Sequence, residues 1–262
     1  TTHYPLPTTH YPLPMSHDIP ECNQTEIALR ESERRLRRQN RILMKLARRK
    51  TLNAGDLNGA IREITEAAAH TLEIERASVW LYNEDRSKIH CIDLYQRSEN
   101  CHSQGSELTA EIYPAYFKAL EAERTIAAHD AHIDPRTKEF LHNYLLPLGL
   151  KSMLDAPIWL GGQMVGVVCH EQLEPGRYWA LEEQNFAGSI ADLVSLALES
   201  YERQQAEMAL QESKEKFKTA FRASPSAMAI ASFPEGRLMD VNESFLSISG
   251  YSREAVIGRT AR

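Results

Sequence analysis

One connector pattern occurs twice. Glu26-Ile27-Ala28-Leu29-Arg30-Glu31-Ser32 returns as Glu207-Met208-Ala209-Leu210-Gln211-Glu212-Ser213. In both places a basic, hydrophobic, basic triplet follows, Arg35-Leu36-Arg37 and Lys216-Phe217-Lys218. Neither segment contains Gly or Pro, so both favour helix. Repeating a charged helical joint, rather than a folded domain, suits a chain that passes a conformational signal between units in series. The two copies bracket one domain, over residues 52–201, with connectors at 24–51 and 202–220 and a further segment at 221–262.

The two ends are unusual. Thr1 to Pro7 is repeated letter for letter as Thr8 to Pro14 before Met15 is reached. A Pro-rich repeat without an apolar face predicts disorder over residues 1–23, with Met15 as the expected true start. At the other end Gly258-Arg259-Thr260-Ala261-Arg262 offers no closing strand, so the last domain is expected to be cut.

Composition excludes more than it selects. With 262 residues, 42% hydrophobic and 25% charged, and a net charge of -6, the chain is ordinary globular material that implies no nucleic-acid partner. Cys22, Cys91, Cys101 and Cys169 form no CxxC pair. There is no secretory signal, and no apolar run reaches the roughly 18 residues that span a bilayer. A reducing cytoplasm is the expected location.

Leu29, Leu36 and Leu43 stand seven apart in the first connector, a partial heptad that favours a homodimer through the connector helices. The same stretch carries Arg34, Arg35, Arg37, Arg38, Arg41, Lys45, Arg48, Arg49 and Lys50, which read as a solvated face. From Asp56 the pattern turns to mixed helix and strand. Asp56 can cap a helix whose stripe is Leu57, Ile61, Ile64, Ala68 and Leu72. Strands are expected at 76–82 and 88–95, joined through Asn83-Glu84-Asp85, followed by a polar loop holding Cys101 and Gly105. A helix at 111–122, a short strand at 125–128, and a helix begun by Asp134-Pro135 and ended by Pro147 and Gly149 come next. Strands 151–160 and 163–171 flank Gly161-Gly162, a loop suited to a tight hairpin. Phe186, Ile190, Leu193, Val194, Ala197, Leu198 and Tyr201 then carry a helical stripe towards the second connector.

Leu148-Gly149-Leu150-Lys151-Ser152-Met153-Leu154-Asp155-Ala156-Pro157-Ile158, Gly161-Gly162-Gln163-Met164-Val165-Gly166-Val167-Val168-Cys169-His170, and Trp179 with Glu182-Glu183 and Phe186-Ala187 resemble the second half of a GAF domain. The resemblance implies an α+β fold, an antiparallel sheet flanked by helices, with the terminal helices bundling against a partner subunit. Ser224-Pro225, Ala227 to Ser232, Asn242, Phe245, Gly250-Tyr251-Ser252 and Gly258 resemble the opening of a PAS domain, of which about half is present.

In GAF domains of the phytochrome type a bilin is attached to a cysteine just before a stretch similar to Asn143 to Gly149, and the matching position here is Phe140. Positions where that family places hydroxyls near the bilin propionates are Asp155 and Pro157, and a carboxylate there repels those acids. Bilin is therefore disfavoured, and no cofactor is identifiable. His170 alternates with Val168 and Gly166 and is a weak candidate haem ligand, set against the reading of a hydrogen-bonded histidine at a strand end. The cyclic-nucleotide signature of the family is not found. His90-Cys91 and Cys101-His102 raise a zinc clip, but adjacent strand residues point to opposite faces, so no metal is expected. The candidate pocket residues are Trp80, Tyr82, Tyr95, Phe117, Phe140, Met153, Asp155 and His170, with an unknown small ligand. The candidate transmission residues are Leu196, Leu210, Phe217 and Phe221.

No phosphate-cradling Gly loop, nucleophile elbow or metalloprotease motif is present, so the chain is not expected to be an enzyme. By resemblance it is the sensory input region of a bacterial signalling protein, with a histidine kinase expected in cis. The alternatives are a diguanylate cyclase input, a bilin or haem photosensory module, and a noncatalytic dimerisation scaffold or truncated gene product.

Overall fold

The computed structural model describes residues 18–53 and 55–260. The Pro-rich repeat and Met15 lie outside the described residues. The chain divides into two compact units between Glu199 and Ser200.

The first unit opens with helix α1, Asp18–Ala47, and a single turn, α2, Lys50–Asn53. Helix thus begins within the leader assigned to residues 1–23, because residues 18–23 contain only one Pro, in the first turn, where it is tolerated. Helix α3, Leu57–Leu72, starts as expected at Asp56, whose side chain accepts a hydrogen bond from the Gly59 amide. Glu73 closes α3 in the left-handed conformation, φ 57°, with its own amide bonded to the Ala69 carbonyl. Strands β1, Arg76–Tyr82, and β2, Lys88–Gln96, form the first hairpin. Where a polar loop is expected, the chain forms β3, Cys101–Ser103, and β4, Glu107–Thr109. Both are three-residue pieces paired to β2, too short to show a period.

Helix α4 spans Pro114–Ala122, with Pro at its start, and begins three residues later than expected. Strand β5 is Ile126–Ala128. The single helix expected after Asp134-Pro135 is instead three short pieces: a 3-10 turn at Lys138–Phe140, a π turn at Leu141–Leu145, and α5 at Leu146–Leu148. Asp134 does cap this turn, its Oδ1 accepting the Arg136 amide at 2.9 Å, with Thr137 and Lys138 donating to its carbonyl, but the turn passes into 3-10 and π geometry instead of continuing as an α-helix. Strands β6, Leu150–Leu160, and β7, Gln163–Leu173, form the long hairpin, with Gly161 and Gly162 both at positive φ. Helix α6, Leu181–Ala223, carries the chain out of the first unit.

The sheet order is β3-β2-β1-β7-β6-β5, with β4 pairing on β2, and all described pairings are antiparallel. Both faces are covered. One packs Val79, Leu154, Ala156 and Val168 against Ile61, Ile64 and Ala68 of α3 and Phe186, Ile190 and Val194 of α6. The opposite face packs Trp80, Ile89, Met153 and Val167 against Tyr116 and Leu120 of α4 and Phe140 and Leu145 of the broken segment. The period-two alternation of strands decides which residue goes to which face. The centre of the sheet is tight at β1 and β7. A Cβ on Gly166 would lie 2.1 Å from the Trp80 carbonyl oxygen and 3.1 Å from the Leu81 Cα.

The second unit contains the rest of α6 and a two-stranded antiparallel sheet, β8, Ala229–Ala231, with β9, Leu238–Val241. Helices α7, Glu243–Ser249, and α8, Arg253–Val256, follow. Asn242 organises this unit: its carbonyl accepts from the amides of Met228 and Phe245, both at 2.9 Å, and its amide donates to Ser226 O at 2.8 Å. The apolar core there is small, built on Leu238, Val241 and Val256. Among the described residues no helix is long and apolar enough to cross a membrane.

The β1 to β7 contact is backbone against backbone, so it cannot relax as a flexible side chain can. Gly166→Ala is expected to destabilise the first unit by at least about 3 kcal/mol, beyond an ordinary overpacking substitution. Urea denaturation followed by tryptophan fluorescence measures it; a loss under about 1 kcal/mol would mean the strands can separate freely there.

Candidate functional site

The face of the sheet opposite α3 and α6 concentrates the unusual chemistry. Helix α4 places Tyr113, Tyr116, Phe117 and Leu120 on one side, the spacing of a single helical stripe. The Phe140 ring, at the end of the 3-10 turn, sits 4.3 Å from the ring of Tyr113 and 4.8 Å, edge-on, from that of Tyr116. Tyr82 and Phe117 meet at 5.8 Å. Trp80 lies behind them, its indole donating to Ser78 Oγ at 2.8 Å.

Two carboxylates are buried in this apolar setting. The Tyr116 hydroxyl donates to Asp155 Oδ2 at 2.8 Å, and the Cys169 thiol and His170 amide lie against the same carboxylate. Burial pushes Asp155 up to about 7, with the hydrogen bond from Tyr116 acting the other way and Glu171 adding to the rise. Cys169, opposite Asp155 in the β6 to β7 register, is held well above the usual thiol range by burial and by the neighbouring Asp155. Glu171 accepts from the Tyr144 hydroxyl at 2.7 Å and pairs with Arg76 Nε at 3.1 Å. The Arg76 guanidinium also lies 5.7 Å from the centre of the Tyr144 ring. Burial raises Glu171, opposed by Arg76 and Tyr144.

Of the residues expected to line the pocket, Trp80, Tyr82, Phe117, Phe140 and Met153 fall in this one aromatic cluster, with Asp155 on the same side of β6 as Met153. Tyr95 and His170 do not, and their placement corrects the reading. Tyr95 pairs with Ala77, and His170 with Leu154, at positions that face the helices. The alternation of His170 with Val168 and Gly166 is real, but that set points to α3 and α6. The His170 ring donates from Nδ1 to the Leu154 carbonyl at 2.8 Å, and burial lowers its pKa to about 4. The Tyr95 hydroxyl donates to Asn100 Oδ1 at 2.9 Å and lies 3.0 Å from His70 Nε2.

The pair His90-Cys91 and Cys101-His102 is separated by the sheet. Cys91 is buried in the aromatic cluster, its thiol pushed up to about 12 by burial, whereas His102 Nδ1 lies 3.0 Å from both Asp93 oxygens. Among the described residues no group of three His, Cys, Asp or Glu side chains is placed to hold a metal. Residues that the sequence reading passed over are Tyr113, Tyr116, Tyr144, Arg76 and Glu171. The stripe of α4 was available as a signal for the first two. Arg76 and Glu171 meet because β1 and β7 pair in that register, and nothing local announces it. A groove of about 650 Å³ along α1, lined by Arg37, Asn40, Arg41, Met44, Lys45 and Arg48, lies on other elements and shares no residue with the cluster.

Asp155 and His170 act on stability in opposite directions. Asp155 has a folded pKa above its unfolded value, so its contribution is complete below the unfolded value near 4 and is lost as pH rises through 7. His170 has a folded pKa below its unfolded value, so its contribution is present above about 6.5 and is lost as pH falls towards 4. The stability difference between wild type and Asp155→Asn, measured by denaturation across pH, is expected to fall by about 3 kcal/mol between pH 4 and 7. A difference independent of pH would mean that Asp155 is ionised throughout.

Known proteins place this arrangement. Residues 56–198 match the GAF domain family, and residues 215–262 match a PAS domain. No curated protein sequence matches the chain. Among solved structures, the phycoerythrobilin-bound GAF domain of a cyanobacterial phytochrome superposes with a TM-score of 0.54 at 17% identity, covering 64% of this chain and 97% of that one. The phycocyanobilin-bound GAF domain of a cyanobacterial phytochrome gives 0.53 at 18% identity, covering 63% of this chain and 96% of that one. At these identities the likeness is one of fold. The family match takes in more than half of the chain and contains the whole two-faced sheet, so the chain belongs to the GAF domain family, its GAF domain followed by a PAS domain.

Proposed function

We propose that this sensory input region, a GAF domain followed by a PAS domain, serves a bacterial histidine kinase in cis, acting as a cytoplasmic homodimer that passes the state of the GAF domain along paired α6 helices. The observation that supports this most is the continuity of α6. Its first half is part of the GAF core, through Phe186, Ile190, Val194 and Ala197, and the same unbroken helix extends to Ala223.

On that helix Leu196, Arg203, Leu210 and Phe217 are seven residues apart, and the three apolar members are exposed. A heptad stripe left open to solvent is what a parallel partner helix covers. Phe221, expected with these, is buried in its own unit, its ring stacked on Phe217 at 5.9 Å. It belongs to the second unit's packing rather than to the open stripe. In α1, Leu29 and Leu36 are likewise exposed, in line with a bundle that both connectors join.

The side chains present do not fit a covalently held bilin. Phe140 offers no thiol, its ring is packed between Tyr113 and Tyr116, and Asp155 puts a carboxylate on the same face. His170, packed on the helix side, does not reach that face either. The signal we assign to this domain is a noncovalent ligand that prefers one GAF conformation. It moves the connector only by its differential affinity for the two states.

Inserting one residue between Glu202 and Glu207 rotates everything beyond it by about 100°. In the parent protein this is expected to change kinase autophosphorylation while leaving the melting of the GAF domain unaltered. Seven inserted residues bring the helix back to within about 20° of its starting phase and are expected to restore output. Equal output from both insertions would defeat transmission through a rigid helix.

A further inference from the structure

Gln39 stands seven residues before Leu46 on the covered side of α1, and the two are 4% and 5% exposed. Leu46 joins the apolar core there. Gln39 does not, and its amide makes no hydrogen bond among the described residues. Covering an amide with neither its donor nor its acceptor engaged is costly, and native proteins rarely keep one so without a partner. Gln39 lines a cavity of about 150 Å³ where α1, the end of α3 and the approach to α6 meet, together with Arg35, Arg38, Glu73, Arg177 and Glu183.

The arginines around this cavity are held in fixed directions. Arg38 donates to Glu73 at 2.6 Å and to the His70 carbonyl at 2.8 Å, and Arg35 donates to Glu182 at 3.0 Å. Arg177 donates to Glu183 and to the Leu72 carbonyl, and lies 4.7 Å from the centre of the Trp179 ring. Two of these bonds satisfy the last carbonyls of α3. They leave donors over: Arg35 Nη1, Arg38 Nε and Arg177 Nε take no protein partner among the described residues, and neither does the Gln39 amide. Glu182 is outside the lining, so the wall carries three guanidinium groups against two carboxylates. Water brings as many donors as acceptors and does not relieve that surplus. An oxyanion brings acceptors alone, and guanidinium groups bind it through charge-assisted hydrogen bonds.

We propose that this cavity is a binding site for a small oxyanion, received by the Gln39 amide and by the spare N–H groups of Arg35, Arg38 and Arg177. Bound there, the anion ties α1 to the end of α3 and to the segment that leads into α6. Its occupancy sets how firmly the entering helix is held to the GAF domain. This goes beyond the reading of α6 as the exit route, and it needs neither a kinase nor a partner subunit.

Isothermal titration of the full chain, at constant ionic strength in sodium chloride, uses sodium phosphate and sodium acetate as probes, with acetamide as the neutral counterpart of acetate. Wild type is expected to bind at least one of the two anions saturably, and acetamide at least tenfold more weakly than the tighter anion. Whichever anion is tighter tells whether the site serves a free phosphate or a carboxylate. Gln39→Leu puts an apolar side chain in the covered position and is expected to weaken the anion by about tenfold or more, the worth of one hydrogen bond to a charged group. Its melting temperature is expected to stay the same or rise, a combination that a purely structural glutamine does not give. Arg35→Gln, at a side chain that is half exposed, serves if the leucine variant fails to fold, and is expected to weaken the anion similarly. No anion binding by wild type, acetamide binding as tightly as the anions, or unchanged anion binding in a folded variant overturns the assignment. Transmission through α6, which the insertion series tests separately, stands in each of those cases.

Discussion

The rest of the structure depends on the pairing of β1 with β7, two strands separated by most of the GAF domain. It makes a single sheet from two local hairpins, and it can form only because Gly166 lets the backbones approach. Once the hairpins are joined, both faces of the sheet lie under helices or the broken segment, and every side chain on the central strands is assigned to one side or the other. Polar residues caught in this assignment must find partners in place. Arg76 and Glu171 are register partners across the junction and neutralise each other there. An ion pair of this kind contributes little net stability, since desolvation offsets most of the attraction, but it penalises any slipped register that separates the charges.

The division of labour between the faces follows from this. The helix side carries small and branched residues, Ala68, Ala69, Ala77 and Val79 among them, which let α3 and α6 sit close to the sheet. The other side carries Trp80, Tyr113, Tyr116, Phe117 and Phe140 together with the buried acids Asp155 and Glu171. Asp155 and His170, one residue apart across the β6 to β7 ladder, point to opposite sides and titrate in opposite senses. Between pH 4 and 6.5 their contributions to stability oppose each other, each offsetting part of the other's pH dependence.

Where the sequence carries a local period, it was readable. The cap at Asp56, the stripes of α3 and α6, and the Gly161-Gly162 hairpin are all determined by residues within one element, and each appears where it was expected. The broken segment was not readable, because the cap at Asp134 forms as the sequence suggests and only the later switch from 3-10 to π to α geometry, which brings Phe140 and Leu145 into the core, breaks the helix. Face assignment was half readable. Alternation placed His170 with Val168 correctly, but which of the two sets meets α4 and which meets α3 is decided by how distant strands pair. Phe140 was singled out by family resemblance, whereas the tyrosines that enclose it become visible only when α4 is laid across the sheet.

The segment that crosses the aromatic face is held by side chains rather than by a regular helix. Tyr144 reaches Glu171 on β7, and Glu139 takes the amides of Ala115 and Tyr116 in α4, so one short stretch of chain is tied to the sheet and to a helix at once. Any displacement of α4 relative to β7 must therefore stretch one of these bonds, which couples two elements that the chain itself connects only through a long detour.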